Sequence, residues 1–146
     1  MNRTIKQVVL DNNVFYIVIG VALAIITART YVLLGGNLNF SIGTIIVHHF
    51  FIGVALVVFT GILSFIYYDN LSGTSTARRV LATVFGFGTG LIIDEANFLV
   101  SNGQTYTLAQ YYSNANTYTE IAAVTVIFLA FLINLVMLRR TAARTR

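Results

Sequence analysis

The chain has 146 residues, of which 57% are hydrophobic and only 10% are charged, and its mean hydropathy is +0.80. This composition excludes a soluble globular domain and a disordered chain, and it is typical of an integral membrane protein. The absence of cysteine excludes disulfides, thiolate metal sites and cysteine nucleophiles. The net charge of +4 comes from basic residues that flank apolar runs, so we do not expect nucleic acid as a partner.

Four apolar segments are long enough to cross a lipid bilayer, which requires about 20 residues in a helix. In chain order these predicted spans cover approximately residues 14–34, 42–68, 80–100 and 121–138. Glycine-rich or polar loops separate the first three, and a longer segment rich in Asn, Thr, Ser and Tyr precedes the fourth. We therefore predict an all-α polytopic membrane protein, with one transmembrane domain over residues 1–146 and four helices in an up-down-up-down bundle.

The first segment has a second interpretation, as a cleaved signal peptide. A short basic stretch precedes the apolar run, and Ala22-Leu23-Ala24 matches a cleavage site. However, the apolar run continues well beyond that site, to Leu34. We therefore expect the segment to be retained as a membrane span.

The distribution of Lys and Arg predicts the orientation of the bundle. Eight of the nine basic residues precede the first span, lie between the second and third, or follow the fourth. Because basic loops stay in the cytoplasm, we expect a multi-pass protein of the cell membrane with both termini cytoplasmic. Arg29, near the outer end of the first span, is the exception.

Two pairs of ionisable residues lie inside the apolar stretches. His48-His49 belongs to the second predicted span and Asp94-Glu95 to the third. With the predicted topology, both pairs and Arg29 lie at a similar depth, roughly 8–10 Å below the outer surface. A charge at such a depth is costly and usually marks a site, so we predict one cluster in the outer leaflet.

Small residues on the same helix faces predict close packing. Gly53 follows His49 by one turn, and Gly86 and Gly90 precede Asp94 on one stripe. Small residues let membrane helices approach closely, so we expect these three glycines at helix contacts. His49 and Asp94 should then turn toward the centre. His48 and Glu95 are each rotated by about 100° from these residues, and they should flank the cluster or contact neighbouring helices.

Three interpretations of the cluster stay open. Imidazole and carboxylate ligands suit Zn, Fe or Cu, which makes His48, His49, Asp94 and Glu95 candidate ligands of a divalent transition metal. In the second interpretation, an ion pair between Arg29 and Asp94 belongs to a structural charge network. In the third, the histidines form a proton relay or a pH sensor. The sequence identifies no catalytic residue, and it leaves open whether the protein is an enzyme.

The segment before the fourth span gives weaker expectations. Some of its tyrosines should lie at the lipid headgroups, and the segment could also cap the cluster from outside. Glu120 could reach the cluster, but we expect it to be a first-turn acid that faces solvent or headgroups.

Two motifs carry a resemblance to a known group of proteins. His48-His49-Phe50-Phe51-Ile52-Gly53 matches an HH-aromatic-x-x-G pattern, and the run from Gly86 to Glu95 matches G-x-G-x-G-L-x-x-D-E. Together they resemble small, uncharacterised prokaryotic membrane proteins with these two helices. The resemblance covers spans two and three. It implies that the two ionisable pairs belong together, and it brings no assigned activity.

From the sequence we therefore expect a small integral membrane protein whose buried His/Asp/Glu/Arg cluster is a candidate divalent-metal site. The alternative is a non-catalytic accessory subunit of a larger membrane complex, in which the cluster is a structural charge network. The expected partners are the lipid bilayer and either a second copy of the chain or such a complex.

Overall fold

The structure is a computed structural model that describes residues 12–36, 40–42, 45–66, 75–101 and 111–144. These residues contain four α-helices and a short β-hairpin. The helices are α1 (Asn13–Leu33), α2 (His49–Ile66), α3 (Ser75–Ser101) and α4 (Asn114–Arg144). The antiparallel strands are β1 (Phe40–Ile42) and β2 (Ile45–Val47). Each helix contains a segment long and apolar enough to cross a membrane. The predicted all-α, four-helix membrane fold is thus confirmed.

Three helices begin at least five residues away from their predicted starts. α2 begins at His49 rather than near residue 42, because β1 and β2 pair across residues 40–47. α3 begins at Ser75 and α4 at Asn114, both earlier than predicted. Hydropathy detects the apolar middle of a membrane helix, but it does not detect helical turns made of polar residues at either end.

Local interactions define both ends of α1. The side-chain oxygen of Asn12 accepts a hydrogen bond from the Val14 amide at 2.9 Å, which is an N-cap. At the other end Gly35 has a φ of 82°, a left-handed conformation that favours glycine. Its amide donates to the Val32 carbonyl at 3.0 Å and so satisfies one of the last carbonyls of the helix. α1 therefore ends where the sequence predicted a break.

α3 is the central helix, and it packs against both α1 and α2. A Cβ atom added at Gly86 would overlap the backbone of Ile17 in α1. One added at Gly90 would lie 2.7 Å from the Val21 carbonyl oxygen, which is closer than van der Waals contact. α1 and α3 therefore touch backbone to backbone, in the manner of small-residue crossings between membrane helices.

The contact between α2 and α3 is built in the same way. A Cβ atom at Gly53 would lie 2.6 Å from the Gly88 carbonyl oxygen. Beside these crossings, a buried apolar cluster of Ala24, Ala28 and Leu91 joins α1 to α3. The glycines expected at helix contacts therefore lie inside the chain's own packing.

α4 is attached less closely, to α1 and α3. The Phe131 ring lies 6.0 Å from that of Phe15. Asn134 accepts a hydrogen bond from the Asn12 side chain at 2.7 Å. Most other side chains of α4 are exposed and apolar, as expected of a helix that faces lipid.

Candidate functional site

Six ionisable side chains from the four helices meet at one end of the bundle, beside the hairpin. The end of α1, the start of α2, the end of α3 and the start of α4 therefore share this end, as an up-down-up-down arrangement requires. We call these residues the charge cluster: Arg29, His48, His49, Asp94, Glu95 and Glu120. All are buried except Arg29, whose side chain is 15% exposed.

Asp94 is the centre of the charge cluster and has no exposed surface. Its Oδ1 accepts a hydrogen bond from Arg29 Nε at 3.0 Å. Its Oδ2 lies 3.0 Å from His49 Nε2 and also accepts from the Tyr111 hydroxyl. Three separate parts of the chain therefore converge on one carboxylate.

Glu95, also without exposed surface, contacts the start of α2. Its Oε1 lies 2.5 Å from His48 Nδ1. Its Oε2 accepts a hydrogen bond from the Phe50 amide at 3.0 Å. Amides in the first turn of a helix have no partner within the helix, and the helix dipole favours a negative charge there. Glu95 therefore caps α2 from the neighbouring helix.

The Arg29 guanidinium lies between two carboxylates and two aromatic rings. It pairs with Asp94 and also with Glu120. Its central carbon lies 4.6 Å from the centre of the Tyr111 ring and 5.1 Å from that of Tyr112, within cation–π range. The aromatic rings and the acids together replace the water that a surface arginine would have.

The expectation that Glu120 faces solvent or headgroups was wrong. Glu120 is 8% exposed and pairs with Arg29. Its Oε1 also accepts from Asn116 Nδ2 at 3.2 Å. Because α4 begins at Asn114, Glu120 lies beyond the first turn and on the inner face of the helix.

Sequence reasoning missed Asn116. Its Nδ2 also donates to the Asp94 carbonyl at 3.3 Å and to the Tyr111 carbonyl at 3.1 Å. The four-residue spacing to Glu120 places both on one helix face, a signal that is visible only once the start of α4 is known. Tyr111 was expected at the headgroups or in a cap; it is fully buried against Asp94.

Tyr112 is the second aromatic residue in contact with Arg29. Burial raises the pKa of its phenol above the ordinary value of 10.0; Arg29 acts in the opposite direction, and Asp94 adds to the rise. The hydroxyl therefore keeps its proton at neutral pH. It donates to the Arg29 carbonyl oxygen at 2.8 Å.

The structure brings together the five residues predicted to form one cluster. His48 and His49 lie at the start of α2 instead of two turns into it, because the hairpin precedes the helix. His49 pairs with Asp94, and His48 with Glu95. His49 Nδ1 also lies 3.1 Å from Glu95 Oε2, so His49 lies between both acids of α3.

The predicted Zn, Fe or Cu site is not supported by this geometry. Among the described residues, which include all four candidate ligands, no group of three or more His, Cys, Asp or Glu side chains is placed to hold a metal ion. His48 Nδ1 and both ring nitrogens of His49 face carboxylate oxygens rather than a common point.

Comparison of the chain with known protein families, curated proteins and solved structures found no match. The resemblance to small prokaryotic membrane proteins stays a prediction that rests on the two motifs.

Proposed function

We propose that the charge cluster holds the four helices in one arrangement, and that the protein is a non-catalytic subunit of a larger membrane complex. The observation that carries the first part is that the charged side chains pair between helices. Arg29 of α1 contacts acids of α3 and α4, and the histidines at the start of α2 contact acids of α3. Each contact therefore fixes two helices relative to each other.

The energetics of buried charge support this structural role. Removing one partner of a buried ion pair typically costs about 3–5 kcal/mol, because the other charge is left uncompensated. In a membrane, the surrounding lipid tails carry no charge that could replace the lost partner. Any sliding of α3 would separate Asp94 from Arg29 and Glu95 from the start of α2. The network therefore favours a single register of the bundle.

A double-mutant cycle tests the structural role. We expect Arg29→Gln and Asp94→Asn each to lower the free energy of unfolding in detergent by about 3 kcal/mol. The double variant should lose less than the sum, with a coupling energy of about 0.5–3 kcal/mol. Arg78→Gln, at an exposed arginine near the start of α3, is the control and should stay within about 0.5 kcal/mol of wild type. Additive losses, or losses no larger than the control, would contradict the proposal.

The proposed complex rests on α4. Only 6% of its membrane span is buried within the chain, against 28% for α1, so α4 offers the largest surface to a partner. A photo-crosslinking residue in place of Val126, which is 66% exposed on α4, should give a larger protein product of defined mass in native membranes. The same residue in place of Phe65 on α2 is the matched control. Lipid adducts alone at both positions would refute the subunit assignment.

A further inference from the structure

His49 has a carboxylate oxygen near each of its ring nitrogens. Nε2 lies 3.0 Å from Asp94 Oδ2, and Nδ1 lies 3.1 Å from Glu95 Oε2. The side chain is 2% exposed, and Nδ1 has no hydrogen-bond partner because the contact with Glu95 is poorly aligned. A neutral imidazole has one N–H, so one of its two nitrogens would carry a lone pair instead of a proton within 3.1 Å of a carboxylate oxygen. The surroundings therefore suit a doubly protonated His49.

The charges of the cluster lead to the same conclusion. With neutral histidines, one arginine faces three carboxylates, those of Asp94, Glu95 and Glu120, which leaves two uncompensated negative charges. Such an excess is costly in a buried site within a membrane. Two added protons would leave three neutral pairs: His48 with Glu95, His49 with Asp94, and Arg29 with Glu120.

Further polar groups around the histidines act on these pairs. Tyr111, from the segment before α4, donates its hydroxyl to Asp94, and the Phe50 amide of α2 donates to Glu95. Both hydrogen bonds stabilise negative charge on the carboxylates. Arg29 of α1 contacts Asp94 on one side and Glu120 of α4 on the other.

We propose that the charge cluster is a binding site for two protons, one held in each His–carboxylate pair, and that these protons set the packing of α2 against α3. The proposal rests on the structural role argued above, because it supplies the charge balance that this role requires. With the orientation expected from the basic residues, the protons come from the outer side of the membrane.

The proposal predicts the direction of the pH dependence. Histidines in an unfolded chain lose their protons above about pH 6.5. Above that pH the folded protein holds two protons that the unfolded chain does not, so raising the pH favours unfolding. The ratio of folded to unfolded protein should fall about tenfold per bound proton for each pH unit, or about 100-fold for two protons.

Counting protons during unfolding tests the proposal on the wild-type protein, without any variant. Purified chain is dialysed against a chelator and unfolded in lightly buffered detergent at pH 7.5 with a pH-indicator dye. We expect about two protons to be released per chain. Glu95→Gln removes one negative charge and should release about one. Thr60→Val, at a hydroxyl that bonds only within α2, is the matched control and should release two.

The possible outcomes separate this proposal from the structural one. Stability that is independent of pH, together with no proton release, would overturn the two-proton site. If Glu95→Gln still unfolded more readily, the structural role would stand. If neither pH nor Glu95→Gln changed stability, both proposals would fail. One equivalent of a divalent metal retained after chelation, again without proton release, would show that a metal balances the charge instead.

Discussion

Tyr111 and Tyr112 are neighbours in the chain, yet their hydroxyls have different partners. The Tyr111 hydroxyl donates to a buried carboxylate, and the Tyr112 hydroxyl donates to the backbone carbonyl of Arg29. Both rings lie against the guanidinium of Arg29. Removing either hydroxyl leaves the ring contact in place, so the two Phe variants isolate the hydrogen bonds.

We expect Tyr111→Phe to lower the free energy of unfolding by about 1.5–3 kcal/mol, because hydrogen bonds to charged groups contribute that much. Tyr112→Phe removes a bond to a neutral carbonyl and should cost about 0.5–1.5 kcal/mol. Unfolding curves of both variants in one detergent at pH 7 compare them directly. A larger loss in Tyr112→Phe would mean that the Asp94 contact adds little to the stability of the charge cluster.

At the scale of the elements, the position of the charge cluster depends on how closely the helices approach. The crossing of α1 with α3 brings Arg29 within reach of Asp94, and the crossing of α2 with α3 brings the histidines to their acids. Side chains as short as those of Asp94 and Glu95 reach across only where the backbones nearly touch. The glycines and the charge cluster therefore depend on each other. The glycines let the helix backbones approach closely, and this approach lets the charged side chains pair.

Gly86→Ala tests this dependence. Its new methyl group would overlap the backbone of Ile17, which cannot turn aside as a side chain can. We expect a loss of about 1–3 kcal/mol, the usual cost of overpacking, from thermal or denaturant unfolding in detergent. Gly61→Ala is the matched control, because a Cβ atom there meets nothing within 4 Å. It should be neutral or stabilising by about 0.5–1 kcal/mol, since alanine suits a helix better than glycine. Equal effects at both positions would argue against the close crossing.

At the scale of the whole molecule, the orientation in the membrane is predicted by the basic residues and not by the packing of the helices. The expectation that both termini are cytoplasmic depends on the eight basic residues outside the first span. It places the charge cluster on the outer side.

Because the chain lacks cysteine, single introduced cysteines report the orientation without background. Leu34→Cys, at the cluster end and 83% exposed, should react in intact cells with a maleimide that cannot cross membranes. Thr76→Cys, exposed at the start of α3, should react only after the cells are opened. The wild-type chain should remain unlabelled in both conditions. The reverse pattern would place the charge cluster on the cytoplasmic side.

The sequence predicted the four helices and the meeting of two ionisable pairs, because both follow from the cost of placing polar groups in lipid. Hydropathy did not reveal that α2 starts at His49, since the hairpin before it is as apolar as a helix. The contribution of Asn116 and Glu120 was hidden for a related reason. Their inward face follows from where α4 begins, and that start lies in a polar stretch. Which acid of α3 each ring nitrogen contacts depends on side-chain directions that spacing alone leaves open.

The attachment of α4 has a consequence for how the protein is made. This helix is held by a hydrogen bond from Asn12 to Asn134 and, more than three helical turns away, by the contacts of Glu120 and Asn116 with the other helices. Of the four helices, α4 leaves the ribosome last. Until then Arg29 lacks Glu120, one of its two acids. A nascent chain that stopped before Asn114 would have Asp94 but not Glu120 to pair with Arg29.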